Sequence, residues 1–530
     1  MSDVDSLRVQ LRERGYLTHG IERWFALDPW SSRAFWLELI TVALKAATLI
    51  AAFGALPLAA VMAFRNHPLH AFETLALFLS YAVVWLVCAF AFVVAVALIL
   101  KVRPALPIDT PRALLAISLA AGALLTAPIA IWWYRFDTAP ALPELIVGGG
   151  LGVIFFLVST TVVSAALLSF SIYELQRVPA IHQKPRGVPM AVAAAVLIAL
   201  LFVPAYADRE RPLPAPMVVT TPTTARVALI AVDGLTREIF DSQPDLVSAL
   251  PYVVPIGSVP GNSTAERWAS LGTGVPTEHH GVRSIEGVRF RGGSHVLQRI
   301  SPSDFVLMTF ATPLGIARRE PLPPTVRRRH YIWEIFAERG VPSVSVNWWA
   351  TADLRGAGLH VIGPESIFAS AQGDALRVDS TAMSRFVDAL GREKPRFATV
   401  YMPALDVILN RIDLDPATKV ASSMRALDGI SSTAGLAILD NYQVVLIGMP
   451  GEGQRGSAVI ASTIPLRAKS AWDIAPTLLG LLGFPASAEM PGETPQSRIT
   501  SYGPRDVDTV AAANVNEEYY ENLKSLGYIR

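Results

Sequence analysis

The chain is poor in cysteine and poor in charge. Its 530 residues hold one cysteine, Cys88, and only 17% Asp, Glu, Lys and Arg. A lone cysteine excludes a disulfide framework and a thiolate metal centre, so cysteine usage gives no compartment and topology has to supply it. A formal net charge of +1 argues against nucleic acid as a partner, because binding a phosphate backbone needs a concentrated positive surface. What the chain has in abundance is apolar residues, 52% of the sequence, with a mean hydropathy of +0.40. That is too apolar for an ordinary soluble protein, and the length is too great for one compact domain. Part of the chain is expected in lipid.

Five runs, near 35–63, 74–100, 113–134, 145–172 and 188–206, are apolar enough to cross a hydrocarbon core of roughly 30 Å, which takes about 20 helical residues. Glu38 and Lys45 sit in the opening turns of the first, as boundary residues or as an intramembrane pair on one face. Lys and Arg fall asymmetrically in the connections. Arg8, Arg12, Arg14, Arg23, Arg33, Lys101, Arg103, Arg112, Arg177, Lys184 and Arg186 lie on one side, and only Arg65 and Arg135 on the other. The positive-inside rule then puts the N-terminus in the cytoplasm and, after five crossings, everything beyond 206 outside. The expected protein is a multi-pass inner-membrane protein, targeted by its first span in the absence of an N-terminal signal peptide, with a periplasmic or extracellular C-terminal domain. Ala205, Tyr206 and Ala207 have the small-x-small shape of a signal-peptidase site, although small residues are common at span ends. The expected divisions are a cytoplasmic segment 1–34, a five-helix membrane region 35–206, a Pro- and Thr-rich linker 207–225 and a domain 226–530.

From 226 the pattern changes. RVALIAV (226–232), FVLMTF (305–310), SVSVN (343–347), FATVYM (397–402) and QVVLIGM (443–449) read as buried strands, and HYIWEIFAERG (330–340) and SRFVDALGREK (384–394) as helices between them. The alternation predicts an α/β domain with a mostly parallel central sheet covered on both faces. Ligands in such sheets bind beyond the carboxyl ends of the strands. The first strand delivers Asp233 and Gly234 there, a carboxylate suited to a cation, or a turn Asp capping the next helix. GNSTAERWASLGTGVPTEHHGV (261–282) then passes from loop to helix. Thr264 lies near that helix start, as a nucleophile if a metal lowers its pKa, or as an N-cap. Arg267, one turn on, is able to grip an anion.

AVDGLTREIF resembles the strand-Asp-Gly opening of the type I phosphodiesterase/nucleotide pyrophosphatase branch of the alkaline-phosphatase superfamily. STAERWASLGTGVPTEHHGV is similar to the nucleophile segment of that branch. WEIFAERG (333–340), NWWAT (347–351), WDIAPTLLGLLGFP (472–485) and LKSLGYIR (523–530) follow in family order. Five spans before such a domain is also the layout of phosphoethanolamine transferases and lipoteichoic acid synthases. The resemblance implies two divalent metal ions, usually zinc, bridged by the nucleophile, with Asp233 as a ligand of one metal, Thr264 as nucleophile and Asp406 in YMPALDVILN (401–410) as a ligand of the other.

The remaining ligands of that family are missing. Asn410 stands where a His is implied, and QVVLIGM continues Met449, Pro450, Gly451 instead of Asp-His-Gly. The last histidine of the chain is His360, so all three metal histidines implied beyond the 406 region are absent. A lone carboxylate does not hold zinc tightly. Glu452, Asp413 and Asp415 are candidate substitutes, and His279 and His280 correspond to a structural turn. Two functions follow. One is a pseudoenzyme that has lost the metal site and binds an envelope lipid, glycan or partner protein. The other is an active metal-dependent phosphodiesterase or phosphotransferase acting on lipid-linked or nucleotide-like phosphate esters through Thr264. Transport through the membrane half has less support, since the spans carry few charges and no obvious inverted repeat.

Overall fold

The computed structural model describes the chain except residues 1–5, 8–9, 12, 15, 17–27, 67–69, 103–110, 137–141, 183–186, 204–217, 219, 258–260, 262, 299–309, 371–373, 452–453, 506–516 and 528–530. The described residues form two compact units. One comprises 1–209, 290–295 and 300–318, the other 210–289, 296–299 and 319–530.

The first unit is built from the apolar helices α1 (Arg33–Arg65), α2 (Ala71–Val102), α3 (Pro111–Phe136), α4 (Leu142–Gln176) and α5 (Val188–Leu201). Four of them, α1 to α4, are long and apolar enough to cross a membrane. The expectation of five spans is corrected to four candidates. Helix α5 has 14 residues, a rise of about 21 Å against the roughly 30 Å required, and 204–206 lie outside the described residues, as does the small-x-small site. Glu38 and Lys45 do not pair with each other. Glu38 Oε1 accepts the Ala180 N–H at 2.8 Å and Lys45 Nζ donates to the Ala180 carbonyl at 3.5 Å, so both clamp the turn that leads to α5. Two of the buried charges here, Lys101 and Glu174, pair at 2.8 Å. Glu174 also accepts the Asp28 N–H at 2.9 Å, Lys101 donates to the Asp28 carbonyl at 2.7 Å, and the Lys101 ammonium lies 3.7 Å from the centre of the Phe35 ring. The network fastens the segment before α1 to the ends of α2 and α4.

The second unit centres on an eight-stranded sheet of order β2-β11-β10-β1-β9-β6-β8-β7. Its middle strands are β1 (Val227–Asp233), β6 (Ser343–Val346), β8 (Leu359–Ile362), β9 (Phe397–Met402) and β10 (Gln443–Met449), all parallel to their neighbours within that group. Every residue of β1 and β9 is buried, which is why these strands read as continuous apolar runs instead of alternating ones. The sheet as a whole is mixed, not mostly parallel as the sequence pattern predicts. β2 (Tyr252–Ile256) and β11 (Ala458–Ser462) pair antiparallel at one edge, and β7 (Leu354–Gly356) pairs antiparallel with β8 at the other. The reason is loop length: only 450–457 separate β10 from β11, and only two residues separate β7 from β8, whereas a parallel crossover needs a dozen or more. A second sheet, β4-β3-β5, comprises β3 (Glu286–Phe290), β4 (Val296–Gln298) and β5 (Ala317–Pro321).

Of the predicted strands, RVALIAV, SVSVN, FATVYM and QVVLIGM form. FVLMTF lies outside the described residues except Phe310. HYIWEIFAERG contains α8 (Ile332–Glu338), and SRFVDALGREK is the end of the longer α9 (Ala375–Glu393). Val218 and 220–225 of the linker are described, and Thr221 N–H donates to the Gly483 carbonyl at 2.8 Å.

Candidate functional site

The carboxyl edge of the parallel strands gathers the residues singled out above. Asp233 ends β1 and is fully buried. Gly234 follows with φ +82°, and a Cβ there would lie 2.6 Å from the Asp406 backbone nitrogen. A side chain is excluded by both conformation and space, and the turn after β1 thereby packs on the helix α10 (Ala404–Asn410) that carries Asp406. Asp379, buried on α9, supports the same helix. Its Oδ1 accepts the Ala404 N–H at 3.2 Å, and burial pushes its carboxyl well above the usual carboxylate range. On the opposite flank, a Cβ on Gly451 would fall 1.5 Å from Asp406 Oδ1, so the loop after β10 closes on that carboxylate.

Thr264 opens α6 (Thr264–Thr273) but does not cap it. Ser263 is the cap, its Oγ accepting the Glu266 N–H at 3.1 Å. The Thr264 hydroxyl is left to the site, where it favours the ionised form of Asp233 and lies 3.4 Å from Arg267 Nη2. Arg267 Nη1 donates to the Pro450 carbonyl at 2.8 Å. The guanidinium therefore spans from the candidate nucleophile to the loop where the family's Asp-His pair is implied.

Both oxygens of Asp233 are taken by side-chain donors. Trp268 Nε1–H donates to Oδ1 at 2.9 Å and the Tyr401 hydroxyl to Oδ2 at 2.6 Å. Burial pushes the Asp233 carboxyl above the usual carboxylate range, and Arg267, Tyr401, Trp268 and Thr264 work against that shift. The two donor rings contact each other, with centroids 5.5 Å apart. Asp406 Oδ1 accepts from Asn410 Nδ2 at 2.7 Å, one helical turn on, where the resemblance implies a His. The atom turned toward the carboxylate is the amide nitrogen, which has no lone pair to give a metal.

Such a donor set does not fit a two-metal centre. Stable zinc sites need three or four N, O or S ligands, and among the described residues no three His, Cys, Asp or Glu side chains converge. Of the substitutes, the two described ones do not join the site. Asp413 forms a bidentate pair with Arg411 and is exposed, and Asp415 caps the helix that begins at Pro416. Glu452 lies outside the described residues.

His280 is structural, as its correspondence to a turn implies. It is fully buried; Val282 N–H donates to Nδ1 at 3.0 Å, which leaves the proton on Nε2, 2.9 Å from Ser270 Oγ. Burial, with Arg283, Arg327 and Arg328 nearby, pushes its pKa down to about 3. His279 is half-buried beside Glu489. Beside α6 lies a small recess with room for about one water, lined by Ala265, Trp349, Thr351, Glu365 and Tyr519 among others. The NWWAT segment forms part of its wall, with left-handed backbone at Asn347 (φ +60°) and Ala350 (φ +50°).

Sequence reasoning missed the role of Tyr401. The signal was its position: Phe397, Thr399 and Tyr401 share one face of β9, which brings the last of them to the strand end beside Asp233.

Residues 227–431 match the family model for type I phosphodiesterase / nucleotide pyrophosphatase. The α/β half is therefore a phosphodiesterase-like domain of the alkaline-phosphatase superfamily, preceded by apolar helices. Two solved structures are similar to it at low identity. Phosphonoacetate hydrolase from Sinorhizobium meliloti 1021, in complex with phosphonoformate, is 13% identical over 45% of this chain and 58% of its own, with a TM-score of 0.32. Human ectonucleotide pyrophosphatase / phosphodiesterase 5 is 13% identical over 42% of this chain and 56% of its own, with a TM-score of 0.28. The chain thus spans little more than half the length of either, and neither likeness carries an argument about the role of the phosphodiesterase-like domain. No curated protein matches the chain.

Proposed function

We infer that the phosphodiesterase-like domain is a membrane-tethered binding domain that has given up metal-dependent hydrolysis and engages a ligand or partner in the cell envelope. The observation that carries this reading is the state of the two carboxylates. Asp233 has both oxygens hydrogen-bonded to Trp268 and Tyr401, and Asp406 is held by Asn410. Donors already engage one lone pair on each Asp233 oxygen and on Asp406 Oδ1, in competition with metal ions. A catalytic reading, with Thr264 as nucleophile on lipid-linked or nucleotide-like phosphate esters, has one observation in its favour: Ser263 does the capping, which leaves the Thr264 hydroxyl beside Asp233 and Arg267.

The test is metal content of the purified full-length protein by elemental mass spectrometry, with hydrolysis of a chromogenic phosphodiester with and without added zinc or manganese. Metal-free, inactive, folded protein is the expected result. Near-stoichiometric metal with activity lost in Thr264→Ala would sink the binding reading and establish the catalytic one.

The Lys and Arg asymmetry supports a cytoplasmic N-terminus; the four candidate spans return the chain to that side, and an extracytoplasmic phosphodiesterase-like domain requires the apolar helix α5 to complete a fifth crossing. Ile412, 98% exposed, offers a probe. In a Cys88→Ala background, Ile412→Cys should react with a membrane-impermeant maleimide once the outer envelope is permeabilised. Labelling only after lysis would place the domain in the cytoplasm.

A further inference from the structure

Two short stretches from far along the sequence, 290–295 and 310–318, belong to the unit of apolar helices. The first is held by Glu73, which lies in the opening turn of α2 and is buried. Glu73 Oε1 accepts the Ser294 N–H at 2.9 Å and the His295 N–H at 3.1 Å. The His70 and His295 rings meet edge to face with centroids 4.2 Å apart, and a Cβ on Gly293 would lie 3.5 Å from the Phe72 ring. The second stretch is joined to the first where the Arg291 N–H donates to the Ile316 carbonyl at 2.8 Å.

Residues 310–316 form a turn closed by its own backbone. The N–H groups of Leu314, Gly315 and Ile316 donate to the carbonyls of Phe310, Thr312 and Ala311 at 3.3, 3.0 and 2.9 Å. Ala311 is buried, yet Phe310 is 44% exposed, Leu314 71% and Ile316 49%. Three large apolar side chains held out by a hydrogen-bonded turn are stabilised by an apolar cover. Helix α2 indicates which cover. Phe72, Leu75, Leu79, Val83 and Val87 are all exposed, and their spacing puts them on one face of the helix. On a helix long and apolar enough to cross a membrane, that stripe faces lipid. Phe72 ends the stripe and is the residue beside Gly293, so the turn continues a lipid-facing surface at the end of a span, where hydrocarbon gives way to head groups. Arg291 and Arg318, both exposed, flank the turn. Apolar side chains bordered by cations suit an interface carrying anionic lipid.

We propose that the turn 310–316 is a lipid contact that dips into one leaflet without crossing it, with Phe310, Leu314 and Ile316 entering the bilayer at the level where α2 begins. The occupant is phospholipid. The inference goes beyond the binding reading above and holds whether or not the edge near Asp233 takes a metal or a ligand.

The test uses the full chain in nanodiscs of phosphatidylcholine and phosphatidylglycerol in equal parts. Leu314→Cys and, separately, Ile316→Cys, each in a Cys88→Ala background, are labelled with an environment-sensitive fluorophore. Blue-shifted emission is expected, lost to lipids that carry a nitroxide on the upper acyl chain, roughly 5–10 Å deep, and spared by iodide in the buffer. Emission typical of water, lost to iodide and untouched by the nitroxide lipid, overturns the proposal. Blue-shifted emission untouched by both quenchers reveals a protein cover, such as a second copy of the chain, and overturns it as well. Thermal melts matching that of the Cys88→Ala protein establish that the labelled variants are folded, and two positions keep the test decisive if one of them fails to fold.

Discussion

Replacing His280 by glutamine should flatten the dependence of the α/β unit's stability on pH between roughly pH 7.5 and pH 5. The imidazole is buried and neutral, fixed by the Val282 N–H on one nitrogen and Ser270 on the other, with Arg283, Arg327, Arg328 and His279 opposing protonation. Its folded pKa of about 3 lies about 3.5 units below the ordinary value near 6.5, and each unit corresponds to about 1.4 kcal/mol. Below pH ~6.5 the unfolded chain binds a proton that the folded chain refuses. The stabilisation is therefore fully present above pH ~6.5 and is lost as pH falls toward ~3, about 2 kcal/mol of it by pH 5. Asp233 and Asp379 act with the opposite sign: their raised folded values contribute stability at low pH that is lost as pH rises through them. The informative quantity is thus the difference between wild type and His280→Gln. Urea midpoints of the full chain in detergent, followed by fluorescence of the buried Trp268, Trp333, Trp348 and Trp349, measure it. Parallel pH profiles for the two proteins would refute the assignment of a buried neutral imidazole.

Tyr401→Phe removes the donor to Oδ2 of the fully buried Asp233 and should cost roughly 1–3 kcal/mol, read as a lower urea midpoint with no gain in bound metal. Gly451→Ala places a methyl group on Asp406 Oδ1. It should cost roughly 1–3 kcal/mol as the loop or the carboxylate gives way, visible as increased hydrogen exchange in α10. In the membrane unit, Lys101→Met leaves the buried Glu174 without its closest cation and should cost roughly 3–5 kcal/mol. The double variant with Glu174→Gln should recover part of that in a thermal melt in detergent.

The centre of the α/β unit was legible because strands buried on both faces have to be apolar along their whole length, as VALIAV, FATVYM and QVVLIG are. The edges were not. Tyr252–Ile256 contains Pro255, which only an edge strand tolerates, and Ala458–Ser462 is too short to stand out from its surroundings. Among the site residues, Asp233 and Thr264 stood out by their positions at a strand end and a helix start and Asp406 only through the family resemblance, and the structure places all three at one edge of the sheet. What their oxygens touch was not legible. The Tyr401 contact spans 168 residues of chain, and no local pattern encodes it. Reading Thr264 as a helix cap failed for a similar reason, since Ser263 offers an equivalent hydroxyl one position earlier and backbone geometry chooses between them.

The closeness of Gly451 to Asp406 bears on redesign. A zinc ion would sit about 2 Å from a carboxylate oxygen, yet on one flank of Oδ1 that space is occupied by the main chain of the loop after β10. Grafting histidines at 410 and 450 would supply ligands without supplying a cavity. A designer restoring metal chemistry would have to lengthen or re-route 450–457 first, and only then exchange side chains.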